Sequence, residues 1–405
     1  MKNKRSFVEE LSSLQILELD ACTRCGECLR HCPVQDVTGN PTVSPPEKIR
    51  MFRELLRKSE GLKALLFGPG EADRRLLEDF TRAVYECTTC GACGQNCPVG
   101  IFTQRLWPVL RKEMVKRGLG PIGVQANTPK AIKNSGNPYD KPGAERFKPW
   151  FPESVKLAGR ADIAYYAGCT GAYEAQPMVR GDALVLGAIG EPFTMLPPEE
   201  EVCCGFPLFI TGQHDLLKEL INRLVEGYNA KGVKTLLCSC PCCVNIMTRD
   251  WPALYGGKLP FKVRHITQYV SDAIKNGKLR LTKELTESVI YHDPCYLSRG
   301  VGVIEEPRDV LRSIPGLKLL EFERHGLNSR CCGSGGAARK VYHENATAMG
   351  RLTIDDAVAK KADRLILSCP ACYAKVNEAM VGHRNQIRIT DIMELVSGLI
   401  EEKTA

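Results

Sequence analysis

The chain has 405 residues, of which 43% are hydrophobic and 25% charged, with a formal net charge of +8 and 20 cysteines. This length accommodates two or three domains with ordinary hydrophobic cores, which excludes global disorder. So many cysteines leave two classes, a secreted disulfide framework or an intracellular metal-cluster protein. The basic residues are too dispersed to form a nucleic-acid surface.

The N-terminal Met1-Lys-Asn-Lys-Arg5 is charged, but Ser6 to Leu19 is interrupted by Glu9, Glu10, Ser12, Ser13, Gln15 and Glu18. It has no apolar h-region and no small-residue cleavage site, so it does not read as a secretion signal. The expected location is cytoplasmic, with the thiols free of disulfides. Phe7, Val8, Leu11 and Leu14 form an apolar stripe that reads either as a docking helix or as core. No run of 18 apolar residues occurs, so contact with the inner face of a membrane would pass through a partner.

Residues 1–120 read as an all-α domain. Leu76, Leu77, Phe80 and Val84 recur at helical spacing, as do Leu106, Val109, Leu110 and Met114 ahead of Gly118. Within it stands Cys22-x2-Cys25-x2-Cys28-x3-Cys32-Pro33, repeated as Cys87-x2-Cys90-x2-Cys93-x3-Cys97-Pro98. This is the ferredoxin run for cubane [4Fe–4S] clusters, in which three close thiolates cup one cluster and the fourth reaches the other. The expected ligands are Cys22, Cys25, Cys28 and Cys97 for the first cubane, and Cys87, Cys90, Cys93 and Cys32 for the second. Zinc would need four thiolates per ion and no proline after the last. The 54 residues between Cys32 and Cys87 exceed a minimal ferredoxin spacer, and with the helical patterns they point to an all-helical ferredoxin arrangement. Two resting cubanes at about −2 each would remove roughly half of the positive excess.

Residues 121–160 read as a connector, punctuated by Gly120-Pro121, Asn137-Pro138 and Lys141-Pro142-Gly143. Within it, Pro149-Trp150-Phe151-Pro152 is expected to dock on a neighbouring domain. Residues 161–280 and 281–405 are two copies of one pattern, at an offset of 126 to 129 residues. Each half opens with a short strand running into a cysteine, Ile163-Ala-Tyr-Tyr before Cys169 and Val289-Ile-Tyr before Cys295. Each continues through a Cys-Cys-Gly loop to an amphipathic helix, with the stripe Leu217, Leu220, Ile221, Leu224 and Val225 in the first half. Each closes with a strand entering C-x-x-C. Alternating strands and helices predict α/β, Rossmann-like domains with parallel sheets. The whole is then an α+β multidomain chain whose cysteines sit at the carboxyl ends of strands. Ligands bind there, and helix N-termini favour anions.

The duplicated motif is Cys169, Cys203, Cys204, Cys240 and Cys243, then Cys295, Cys331, Cys332, Cys369 and Cys372. Five thiols exceed what one tetrahedral ion or one cubane can use. Adjacent cysteines cannot easily aim at one ion without strain, but they can bridge separate irons of a larger cluster. Gly205 and the run Gly333-Ser-Gly-Gly336 allow close backbone approach. The repeat register places Cys242 opposite Ala371 and Cys238 opposite Leu367, so both read as packing residues. His292, beside Cys295, reads as an outer residue holding the loop, with a proton-donor role as the competing reading. Asp293 reads as a turn cap, Arg308 as structural, and Pro198-Glu-Glu-Glu201 as a solvated loop or a docking edge.

In Tyr291-His-Asp-Pro-Cys295, Gly302-x4-Pro307-Arg308 and Cys331-Cys-Gly-x-Gly-Gly336, together with the ferredoxin pair, nearly the whole chain resembles the heterodisulfide reductases and their CCG domains. The order of helical ferredoxin and two CCG halves in one chain is similar to the D subunit of that family. The resemblance implies one non-cubane [4Fe–4S] cluster per five-cysteine set, the two sets facing each other across a pseudo-two-fold axis. It also implies an iron–sulfur enzyme subunit that receives electrons from a partner and splits a small disulfide into two thiols. The alternative is a relay with no substrate of its own. The iron–sulfur subunits of glycolate and glycerol-3-phosphate dehydrogenases also resemble this chain, and relatives serve sulfate-reducing and benzoyl-CoA-reducing complexes. Both five-cysteine sets are complete, which favours disulfide cleavage. No G-x-G-x-x-G follows a strand, so no flavin or NAD is expected on this chain. The electron donor is expected to be a flavoprotein, like the family's A subunit, or a membrane cytochrome b.

Overall fold

The computed structural model describes residues 10–60 and 73–400, so Phe7 and Val8 of the N-terminal stripe lie outside the described residues. The chain forms two compact units. One comprises Met1–Ala126, Pro207–His214 and Gly333–Met349, and the other Asn127–Phe206, Asp215–Cys332 and Gly350–Ala405.

The first unit is helical, built on Ser13–Asp20, Pro45–Glu60, Arg74–Glu86 and Thr103–Lys116. The helix Arg74–Glu86 starts where Asp73 accepts from the backbone N–H groups of Arg75 and Leu76, a side-chain N-cap. Its stripe then buries Phe80 and Val84 against Phe52, Leu106, Leu110 and Met114. The N-terminal stripe divides: Leu11 joins this core, while Leu14 is 66% exposed.

Arg111, fully buried, is the polar centre of this unit. Its guanidinium donates to the carbonyls of Val84, Tyr85, Cys87, Ile210 and Gly336. One cation thus gathers three chain segments far apart in sequence. Gly335 and Gly336 allow the third segment to approach: a Cβ there would lie 2.4 Å from the Thr88 carbonyl oxygen and 2.3 Å from that of Cys87.

The second unit holds two four-stranded parallel sheets of identical order. The first runs β2-β1-β3-β4 and the second β6-β5-β7-β8. The strands are β1 (Ile163–Tyr166), β2 (Phe193–Thr194), β3 (Thr235–Cys238), β4 (Lys262–His265), β5 (Ser288–Tyr291), β6 (Lys318–Leu320), β7 (Arg364–Leu367) and β8 (Arg388–Asp391). The central strands β1, β3, β5 and β7 each bury their last three residues, as expected for parallel strands covered on both faces. The fold is therefore the predicted one: a helical region followed by two duplicated parallel α/β domains.

The two sheets share one core. The helix Gln176–Ile189 of the first half packs on Ile392–Leu399 of the second. Gly181 lets the backbones meet, since a Cβ there would lie 2.6 Å from the Glu394 backbone nitrogen. The connector also contributes. It contains the helix Thr128–Ser135, whose single buried residue, Ile132, left no periodic signal. Trp150 packs edge-on to Tyr165 and donates to the Arg146 carbonyl at 2.8 Å.

Replacing Arg111 with methionine leaves its buried carbonyls without their donor. The loss should be about 3–5 kcal/mol, as for removing one partner of a buried charged network. Urea denaturation measures it, and a loss below about 1 kcal/mol would contradict the role given to Arg111.

Candidate metal centres

The two ferredoxin runs fold alike. Arg24 and Thr89 are left-handed at φ 59° and 52°, and each precedes a cysteine followed by a left-handed glycine, Gly26 or Gly91. Thr89 N–H donates to Cys87 Sγ at 3.4 Å, and Thr103 Oγ1 lies 2.9 Å from Cys93 Sγ.

Cys22, Cys25, Cys28, Cys93 and Cys97 line one pocket together with Pro45, Pro46 and Ile49. Cys28 is pushed up to about 12 by burial and then by the nearby Cys93, Cys22 and Cys97. Cys32 rises to about 11, chiefly through burial, with Cys87 and Cys90 as its thiol neighbours. Each fourth cysteine thus has thiols of the other run near it, and Cys93 neighbours both groups. Cys25 is exposed, whereas Cys32, Cys90 and Cys93 are buried.

Sequence reasoning missed Lys48 here. It is 1% exposed, its ammonium stands 4.8 Å over the Trp107 ring, and its neighbours are Cys87, Cys32 and Cys93. Although burial opposes its charge, these thiols hold its pKa above the ordinary lysine value.

In the second unit all ten cysteines of the duplicated motif are buried. The positions follow from the strands. Cys169 and Cys295 each open the helix after β1 or β5, and Cys240 and Cys369 N-cap the helices after β3 and β7. In the first set Cys204 Sγ lies 3.3 Å from Cys243 Sγ, Cys203 bonds to Cys169 and Cys204, and Gly205 N–H donates to Cys203 Sγ at 3.4 Å. Cys204 falls to about 6 through its hydrogen bonds with Cys203 and Cys243. In the second set Cys332 and Cys372 are 3.0 Å apart, and Cys331 also bonds to Cys332. The two sets meet where Cys240 bonds to Cys369.

One polar network holds the residue before each C-x-x-C. Tyr165 Oη donates to Asp182 at 2.6 Å and lies 2.6 Å from Ser239 Oγ. Tyr291 Oη pairs with Ser368 Oγ at 2.7 Å. His265 Nε2 pairs with the Ser239 carbonyl at 2.9 Å and also reaches the Ser368 backbone. The network therefore spans both halves.

The two extra cysteines differ. Cys238 is fully buried in β3, 3.8 Å from Met247 Sδ, a packing residue. Cys242 is half-buried and bonds to Cys240, with Cys369 and Cys295 as further neighbours. His292 lies with Cys332 and Cys372, their donor atoms all within 4.8 Å of one another, and its ring stands edge-on to Phe322. Asp293 accepts both terminal nitrogens of Arg308, at 2.7 and 2.8 Å, and the Gly326 N–H at 2.7 Å. Arg308 also grips Glu321, which makes it a structural clamp. The acidic run 199–201 is neither a solvated loop nor a docking edge throughout: Glu201 is buried and paired with Arg146 at 2.9 Å. No local signal marked that pair, because 55 residues separate its members.

Known proteins agree with this architecture. Residues 18–101 match the 4Fe-4S dicluster domain, and residues 163–248 and 289–377 match the cysteine-rich CCG domain. A dicluster domain joined to two such repeats defines an iron–sulfur oxidoreductase component. The D subunit of the dihydromethanophenazine:CoB–CoM heterodisulfide reductase of Methanosarcina barkeri is 41% identical over 96% of both chains, and that of Methanosarcina acetivorans is equally similar. The B subunit of the fumarate reductase (CoM/CoB) of Methanothermobacter marburgensis is 30% identical over 94% of this chain and 72% of its own. The chain belongs to the family of heterodisulfide reductase D subunits. A hypothetical protein from Helicobacter pylori shares the fold with a TM-score of 0.57 at 9% identity, covering 97% of this chain and 76% of its own. Among the described residues, no helix is long and apolar enough to cross a membrane.

Burial lifts the Asp182 carboxyl to about 7, against the opposing bonds from Ser239 and Tyr165. The folded value lies above the reference 3.8, so the folded chain binds the extra proton between the two. That contribution is whole below 3.8 and lost as pH rises through about 7. Asp182→Asn should therefore gain stability relative to the parent as pH rises from about 5 to about 8. Urea midpoints at both pH values test this, and an unchanged difference would contradict it. Cys238→Ala and Cys242→Ala should each retain full iron content, measured per chain. Iron loss in either would break the repeat register.

Proposed function

We propose that the chain is the disulfide-cleaving subunit of an oxidoreductase complex. It would hold two cubane clusters on Cys22, Cys25, Cys28 and Cys97 and on Cys87, Cys90, Cys93 and Cys32. Two non-cubane four-iron clusters would be held by Cys169, Cys203, Cys204, Cys240 and Cys243 and by Cys295, Cys331, Cys332, Cys369 and Cys372. The donor set fits: every member is a thiol, soft ligands of the kind iron–sulfur clusters take, and each five-thiol set has one more than zinc can use. When bound, such clusters supply electrons singly and exposed iron positions for sulfur.

The observation that carries this reading is that two complete five-thiol sets touch at Cys240 and Cys369. Cleaving RSSR′ takes two electrons and two protons and releases RSH and R′SH. Two adjoining one-electron sites match that requirement. The chain's part is to hold them close: the Tyr165–Asp182–Ser239 and Tyr291–Ser368 bonds fix the backbone that presents Cys240 and Cys369. His292 braces Cys332 from outside. The exposure of Cys25 supports the first cubane as the side that would face an electron donor. The relatives are named as subunits of reductases, which supports a partner subunit as donor; its expected kind is a flavoprotein or a membrane cytochrome b. The Methanosarcina relatives are named for the CoB–CoM heterodisulfide, so the substrate class is a mixed disulfide of two small thiols.

Anaerobic iron quantification with electron paramagnetic resonance tests this. About sixteen irons per chain are expected, with a signal induced by one particular thiol. About eight would leave only the cubanes and sink the proposal. Sixteen with no thiol able to perturb a signal would point to a relay.

A further inference from the structure

The two five-thiol sets do not have the same surroundings. At the first set stands Arg146, whose side chain is 1% exposed. Both its terminal nitrogens donate to Cys169 Sγ, each at 3.7 Å. Its Nε donates to Glu201 Oε1 at 2.9 Å, and the same oxygen accepts the Gly168 N–H at 3.3 Å. Glu201 is fully buried. The carboxylate therefore fixes both the guanidinium and the backbone one residue before Cys169.

Neither member of this pair belongs to the duplication. Arg146 precedes Cys169 by 23 residues, and the residue 23 before Cys295 is Asp272, which pairs with Arg264. Glu201 precedes Cys203 by two, and the residue two before Cys331 is Ser329, whose carbonyl and hydroxyl accept from Arg299. The second set meets an imidazole instead, that of His292 on Cys332. The connector, which the repeat does not copy, thus delivers a fixed positive charge to the first set.

A buried ion pair is poor evidence of stabilisation, because an apolar pair of the same volume often serves as well. A cation donating to a thiolate sulfur has a specific effect, however. It favours the more negative, reduced state of a cluster that the sulfur ligates, since charge and hydrogen bonds at sulfur set cluster potentials. The geometry of the fork, two N–H groups on one sulfur and one on a carboxylate, is suited to that task.

We infer that Arg146, positioned by Glu201, raises the electron affinity of the first five-thiol site and makes the two sites unequal, so that the first electron delivered rests on the Cys169 side. This rests on the proposed cluster content. Arg146 is a positioning and tuning residue, not one that touches substrate. Glu201 opposes it in part, since its negative charge offsets the guanidinium's effect on the sulfur.

The test uses the full chain, anaerobically loaded with iron, carrying Arg146→Met, Arg146→Lys or Glu201→Gln. Iron is counted, and each paramagnetic signal is followed against potential. Arg146→Met should lower the midpoint potential of one five-thiol signal, the one that Cys169→Ser also perturbs. Arg146→Lys, which keeps the charge, should restore most of it. Glu201→Gln should move the same midpoint upward, because the guanidinium is then less neutralised. General damage to the site would move all the variants in one direction. Should Arg146→Met shed iron, the upward shift in Glu201→Gln and the near-parental value of Arg146→Lys still decide. Unmoved potentials at full iron loading, or Arg146→Met and Glu201→Gln shifting the same way, would overturn the inference. A parent chain holding only about eight irons would instead overturn the cluster reading beneath it.

Discussion

Everything in the second unit is arranged around one constraint: ten buried thiols at the carboxyl ends of two parallel sheets, meeting at Cys240 and Cys369. The crowded thiols divide: Cys169 and Cys243 are held above the ordinary cysteine range, while Cys204, Cys240 and Cys332 are drawn below it by bonds from neighbouring thiols. Metal ligation needs the thiolate, so a cluster bound here would couple its binding to folding. The backbone must hold the sulfurs in place without help from the sulfurs themselves. It does so through strand ends whose last three residues are buried, and through the Tyr165, Ser239, His265, Ser368 and Tyr291 network behind both C-x-x-C turns.

The same logic explains the buried cations. Lys48 and Arg146 would each be costly in a dry interior without counter-charge. The groups that raise their pKa values are above all thiols, Cys87 and Cys32 for Lys48, and Cys169 with Glu201 for Arg146. Their presence makes sense where the sulfurs are anionic, and a thiolate-bound cluster keeps them so. Arg111 is the contrasting case. It is equally buried, but its guanidinium is taken up by backbone carbonyls, so its role is architectural.

Much of this was legible in the sequence, and the reasons are specific. Short apolar runs leading into cysteines marked β1, β3, β5 and β7, whereas the strand order came only from the structure. The stripes at 76–84 and 106–114 became the helices Arg74–Glu86 and Thr103–Lys116. The two ferredoxin runs stood out by their spacing alone. What stayed hidden were contacts between distant segments. Glu201 looked like part of an acidic surface run because its partner lies 55 residues away. Lys48 carried no signal in the sequence, because its partners Cys87 and Trp107 lie far along the chain. Cys242 reads as packing in the repeat register, and its closeness to Cys369 and Cys295 of the opposite half left no mark there.

The central claim is that each half of the duplication holds its own four-iron cluster on five thiols, and that the two lie side by side. Iron-edge anomalous scattering from anaerobic crystals addresses it directly. The account predicts four separate iron groups per chain, with two of them adjoining across Cys240 and Cys369. A lone metal peak with four sulfur ligands in either half, or no iron there at all, would contradict it.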